Sequence, residues 1–159
     1  MTTKGSAVVT LPSDTEVLIT RQFDAPAKFV YEAWTTPAYV KQWWGFEESP
    51  LIQCDIDLEI GGTWRYVTCA EDGTELGWHG TFRDMDAPNR LVSTEVFEGY
   101  PVAEALDTLT LHEADGVTTL RIVVKHTTKE NRDGHVNSGM EFGMQHTLDR
   151  LDLLTSTMS

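Results

Sequence analysis

Between residues 51 and 125 the chain is a succession of short runs rich in β-branched and aromatic residues, each cut off by a turn pair. LIQCDIDLEI ends at Gly61-Gly62, TWRYVTCA at Asp72-Gly73, and ELGWHGTFRDMD at Pro88-Asn89, after which RLVSTEVFE follows. Two more runs, LDTLTLHEA and VTTLRIVVKH, flank Asp115-Gly116, a dipeptide suited to the left-handed turn of a two-residue hairpin. Consecutive strands joined this closely pair antiparallel, so the pattern predicts a meander rather than a doubly wound parallel sheet. With EVLITRQF upstream, the count comes to about seven strands.

The period changes on either side of the meander. After the first strand, Pro26 opens a helical spacing of Phe29, Val30, Ala33 and Trp34, and Pro37 opens a second short helix that ends at Gly45. From 137 to 157 the apolar stripe Met140, Met144, Leu148, Leu151 and Leu154 or Thr155 marks a long terminal helix, with Gly139 and Gly143 inside it. The polar stretch 127–135 reads as a connecting loop. Residues 1–14 show no sustained period and read as a flexible N-terminal arm, leaving 15–159 as one domain, a length that sustains a single core. The expected class is α+β, with a sheet packed against a terminal helix.

Acidic residues outnumber basic ones 25 to 12, for a net charge of −13. Such a surface repels phosphate backbones and anionic bilayers, which argues against nucleic acid and membranes as partners. Cys54 and Cys69 sit on separate predicted strands without CxxC spacing, fitting free thiols, and no stretch has the length of an apolar span or the form of a secretory leader. The expectation is a cytoplasmic protein.

The segments ITRQFDAPAKFVYEAWTTPAYVKQWWG, GGTWRYV, GTFRDMDAPNRLVSTEVF and SGMEFGMQHTLDRLDLL, in this order and spacing, resemble the START-like or SRPBCC (helix-grip) superfamily. Within it they are similar to bacterial homologues of the heat-shock-protein ATPase activator's C-terminal domain. The resemblance covers nearly everything after the arm. It implies a curved antiparallel sheet gripping the last helix, with a cavity between them that in relatives holds apolar molecules. Because such folds host carriers, cyclases and co-chaperone domains alike, the activity has to be argued from the residues.

Aromatic side chains with a polar edge make good pocket walls, and the chain places several where a cavity is expected. Trp43 and Trp44 end a short helix, Trp64 and Tyr66 share one face of a strand, and Trp78 and Phe97 lie on the next two. Met140, Met144 and Leu148 lie on the helical stripe that faces them, and thioethers adapt to varied ligand shapes. These nine are the expected ligand-binding residues, and ordinary core packing accounts for them equally well. Arg65, His79, Glu95 and His146 are the polar groups to watch, although strand alternation turns Arg65 and His79 outward if Trp64 and Trp78 face in.

The five histidines have no HxxxH or HExxH spacing, and GxSxG, GxxxxGK[ST] and helix-opening GxGxxG are all absent. The sequence therefore names no catalytic residue, no metal ligand and no cofactor. The leading expectation is binding of a small hydrophobic or amphipathic molecule. A cyclase- or hydratase-type enzyme using the same cavity and a co-chaperone-like regulator of a heat-shock ATPase are the alternatives, and a free sheet edge would permit a homodimer.

Overall fold

A computed structural model describes residues 5–158. The strands are β1 (Val8–Ser13), β2 (Glu16–Phe23), β3 (Leu51–Ile56), β4 (Thr63–Cys69), β5 (Glu75–Asp86), β6 (Arg90–Phe97), β7 (Glu104–Ala114) and β8 (Val117–Lys125). The helices are α1 (Ala27–Thr35) and α2 (Pro37–Trp43) between β2 and β3, then α3 (Lys129–Val136) and α4 (Met140–Ser156) at the end. All eight strands form one antiparallel sheet in the order β1-β2-β8-β7-β6-β5-β4-β3. The α+β class and the terminal helix are as the sequence implies, with one strand more than the count of about seven.

That extra strand falls where the sequence shows only an arm. β1 pairs with β2 through Val8↔Thr20, Val9↔Ile19 and Thr10↔Leu18. It is the outermost strand, where Pro12 needs no ladder partner for its missing N–H.

The stretch read as a loop holds α3. Thr128 Oγ1 caps it by accepting the Asn131 N–H at 3.0 Å, and Lys129 pairs with Asp133 one turn on at 3.1 Å. Gly139, expected inside the last helix, has φ +84° and separates α3 from α4.

One face of the sheet carries the core. Val17, Ile19 and Phe23 on β2, Leu109 and Leu111 on β7, and Leu120 and Val124 on β8 are buried there against Leu148 and Leu151 of α4. Arg21 on the same face bonds Asp149 of α4. Gln145 bridges the helix to Ala7, donating to its carbonyl at 2.6 Å and accepting its N–H at 3.0 Å. Arg150 fastens the other side by donating to the carbonyls of Gln42 and Gly45. The α1 N-terminus, lacking a side-chain cap of its own, donates the Ala27 N–H to Glu113 of β7 at 2.8 Å. The helix is thus tied to both flanks of the sheet, and the strands between face its underside. Cys54 and Cys69 are free thiols.

Candidate functional site

Strand alternation sends Tyr66, Trp78 and Phe97 to this inner face, and register aligns them in one row, Tyr66 opposite Trp78 and Trp78 opposite Phe97. Trp44, just past α2, lays its ring against both Tyr66 (5.2 Å between centroids) and Trp78 (4.8 Å). Trp44, Trp78 and Phe97 are half-buried, as are Met140 and Met144 in the first turns of α4.

The remaining three expected residues are sealed. Trp43 donates its indole N–H to the Ala33 carbonyl and packs on Trp34, Trp64 donates to Thr94, and Leu148 is 2% exposed. Trp64 reaches that carbonyl by crossing Gly80, whose missing side chain leaves it the room.

Beside the aromatic row, the inner face turns polar. Ala105, Leu109 and Leu111 are buried on β7, and Asp107 shares their phase. Asp107 pairs with Ser93 on one side and Val124 on the other, while Glu95 pairs with Ala105, so the two carboxyl groups are diagonal neighbours across the β6–β7 ladder. Asp107 Oδ1 is buried and has no hydrogen-bond partner.

His126, one residue past β8, is 8% exposed, with Nε2 3.0 Å from Nδ1 of His135 on α3 and Nδ1 unpartnered. Arg132 positions α3 over this cluster by donating to the Ser13 carbonyl at 2.6 Å, and its Nε bonds Asp133.

Burial dominates the electrostatics. It pushes the Asp107 carboxyl well above the ordinary carboxylate range, helped by the negative charge of Glu95 and a hydrogen bond with it. His126 is pushed down to about 4, by burial first and then by the positive charges of His135 and Arg132. His135 is lowered by burial, with Glu95 acting in the opposite sense. The Tyr66 hydroxyl is raised by burial, then by Cys54 and Glu95. Burial thus disfavours the charged form of both imidazoles and of Asp107, and this pole is rich in hydrogen-bond acceptors.

Of the four polar groups singled out from the sequence, only Glu95 faces in. Arg65 and His79 lie on the outer face, both bonded to Glu98, whose carboxyl they hold down at about 2. His146 stacks on Phe46 at 5.0 Å and meets Glu47 on the far side of α4. An outer-face hollow of about 400 Å³ is lined by Arg65, His79, Thr81 and Arg83, and another of about 410 Å³ lies between α1, α2 and the end of α4. The sequence does not single out Asp107, and it sets His126 and His135 aside with the other histidines for want of ligand spacing. The signal for Asp107 was there: it is the one charged residue on the apolar phase of LDTLTL.

An antiparallel sheet closed by a C-terminal helix, with aromatic and acidic side chains on the sheet's inner face, is the helix-grip class of protein. A family model described as activator of Hsp90 ATPase homolog 1-like protein matches residues 24–155, and the chain belongs to that family. Among solved structures, a Rhodobacter sphaeroides protein is 27% identical over 96% of this chain and 100% of its own, with a TM-score of 0.90. A protein from Arthrobacter aurescens is 24% identical over 99% and 94% of the two chains, at a TM-score of 0.85. An AHSA1-like protein from Aeromonas hydrophila is 20% identical over 87% and 92%, at 0.67. These last two show the shared fold. No curated protein matches the sequence.

Proposed function

We propose that the inner face binds one small amphipathic molecule, its apolar body against Trp44, Tyr66, Trp78 and Phe97 and its polar end at Glu95 and Asp107. The observation that carries this reading is Asp107 Oδ1, a buried oxygen left without a hydrogen-bond partner between Ala105 and Leu109 on the inner phase of β7. A buried polar atom without a partner costs free energy, and a ligand group supplying the missing hydrogen bond recovers it. The apolar body adds roughly 25 cal/mol per Å² removed from water. The half-buried rings under the helices and the helix-grip class of the family support the reading.

Proton transfer on the bound molecule is a second reading, favoured by a buried Asp107 carboxyl whose protonated form is favoured beside Glu95. It differs from binding alone by turnover.

Two-dimensional NMR of the indole N–H signals tests the first reading with a panel of amphipathic molecules. Trp44 and Trp78 should shift on titration, while Trp43, whose N–H is committed to Ala33, stays in place. A panel that moves neither Trp44 nor Trp78 at millimolar concentration sinks it.

A further inference from the structure

We infer that the molecule taken by this inner-face site is a cation, an ammonium group on an apolar body, with its N–H donors directed at Asp107 Oδ1 and Glu95. This rests on the small-molecule reading above and specifies the ligand's charge.

The groups facing the pole decide the sign. From β6 come Ser93 and Glu95, from β7 Asp107, from β3 and β4 Cys54 and Tyr66, from the end of β8 His126, and from α3 His135 and Arg132. Among the described residues the cations near them are Arg132, whose guanidinium is engaged by the Ser13 carbonyl and Asp133, and Lys41 of α2, an exposed side chain whose charge acts on Cys54. Arg21, also buried, is engaged by Asp149 and the Gln22 carbonyl. Among the described residues the carboxyl pair makes no ion pair, and His126 Nδ1 and Asp107 Oδ1 at the pole are buried without a hydrogen-bond partner, as is Arg21 Nε beside α4.

A carboxylate head group would bring a like charge against Glu95 in a poorly solvated site, and a hydroxyl would offer one donor without charge. An ammonium offers several donors and the missing positive charge, and charge-assisted hydrogen bonds are about twice as strong as neutral ones. The aromatic row beside the pole adds negative ring faces that attract a cation, and the net charge of −13 draws cations toward the protein. Arrival of the cation favours the ionised form of Asp107, so over the range in which that carboxyl titrates binding releases a proton and affinity rises with pH.

Isothermal titration of the full chain with n-octylammonium, 1-octanol and octanoate, in phosphate and in Tris at one pH, reads both consequences. The expected order is octylammonium tighter than octanol by about tenfold or more, octanoate weakest, with a buffer-dependent heat showing proton release for octylammonium only. Glu95→Gln and Asp107→Asn should each bring octylammonium close to octanol, and retained octanol binding shows the variants are folded. Equal binding of the three probes, or preference for octanoate, overturns the cation assignment and leaves a small-molecule site standing. Binding by none of the three overturns both.

Discussion

Arg21 Nη2 on β2 lies 2.8 Å from Asp149 Oδ1 on α4, in a pair whose side chains are 1% and 13% exposed. This joins the middle of the last helix to the inner face, and the Arg21 guanidinium also lies over the Phe23 ring. Asp149→Ala leaves the buried arginine charge with only the longer ion pair to Asp152 at 3.7 Å, and single removals from buried pairs cost about 3–5 kcal/mol. Its stability in urea should fall by the lower part of that range. Arg21→Met combined with Asp149→Leu should recover most of the loss, since no buried charge is then stranded and Asp152, 20% exposed, reaches water. Equal losses in the single and double variants would show that the charge is not what destabilises.

The His126 imidazole supplies a pH dependence of known sign. Folded, it titrates at about 4 rather than 6.5, so between those values the unfolded chain takes up a proton that the native state refuses. Its share of the stability is full above pH 6.5 and is lost as the pH falls toward 4. The wild-type minus His126→Gln stability difference, followed by urea melts, should therefore drop by roughly 2–3 kcal/mol across that interval. Taking the difference removes the contribution of the carboxylates, which titrate in both proteins. A flat difference curve would place His126 in water.

Gly80 and Gly134 should respond oppositely to alanine. A Cβ at Gly80 runs into the Thr94 carbonyl and the Trp64 indole, whereas one at Gly134 on α3 meets nothing within 4 Å. Gly80→Ala is expected to cost about 1–3 kcal/mol by overpacking and to displace the Trp64 indole signal. Gly134→Ala should gain about 0.5–1 kcal/mol from helix propensity alone. Thermal melts compare the two, and a neutral Gly80→Ala would mean that the indole can leave its carbonyl at no cost.

The meander and the terminal helix were legible because their signals are periodic: alternation in LDTLTL and a stripe through Leu148 and Leu151 survive without knowledge of partners. β1 was not, because an edge strand buries little and so needs no apolar alternation, and Val8 and Leu11 are indeed exposed on it. α3 was hidden for a related reason, since KENRDGHV is polar on most sides and is held by its cap and by Arg132. In the site, Tyr66, Trp78 and Phe97 followed from parity. The polar pole did not, because His126 lies just past a strand and His135 in a helix whose polar sequence has the composition of a loop. Their meeting is a tertiary fact.

Asp107 should make the protein less stable than it need be at neutral pH, the mark of a group kept for binding rather than for folding. Its folded carboxyl titrates well above 3.8 because of burial and Glu95, so the native state must hold a proton that the unfolded chain gives up. That penalty is absent below the unfolded value and grows as the pH rises, until the folded carboxyl itself ionises. Asp107→Asn mimics the protonated acid, keeping a donor toward Glu95 and the same shape, without the penalty. The variant should melt several degrees above wild type at pH 7.5, and the gain should vanish near pH 4. If it instead melts below wild type at pH 7.5, then the ionised carboxylate has a stabilising partner in the folded protein, and the pole is a structural ion pair rather than a vacant acceptor.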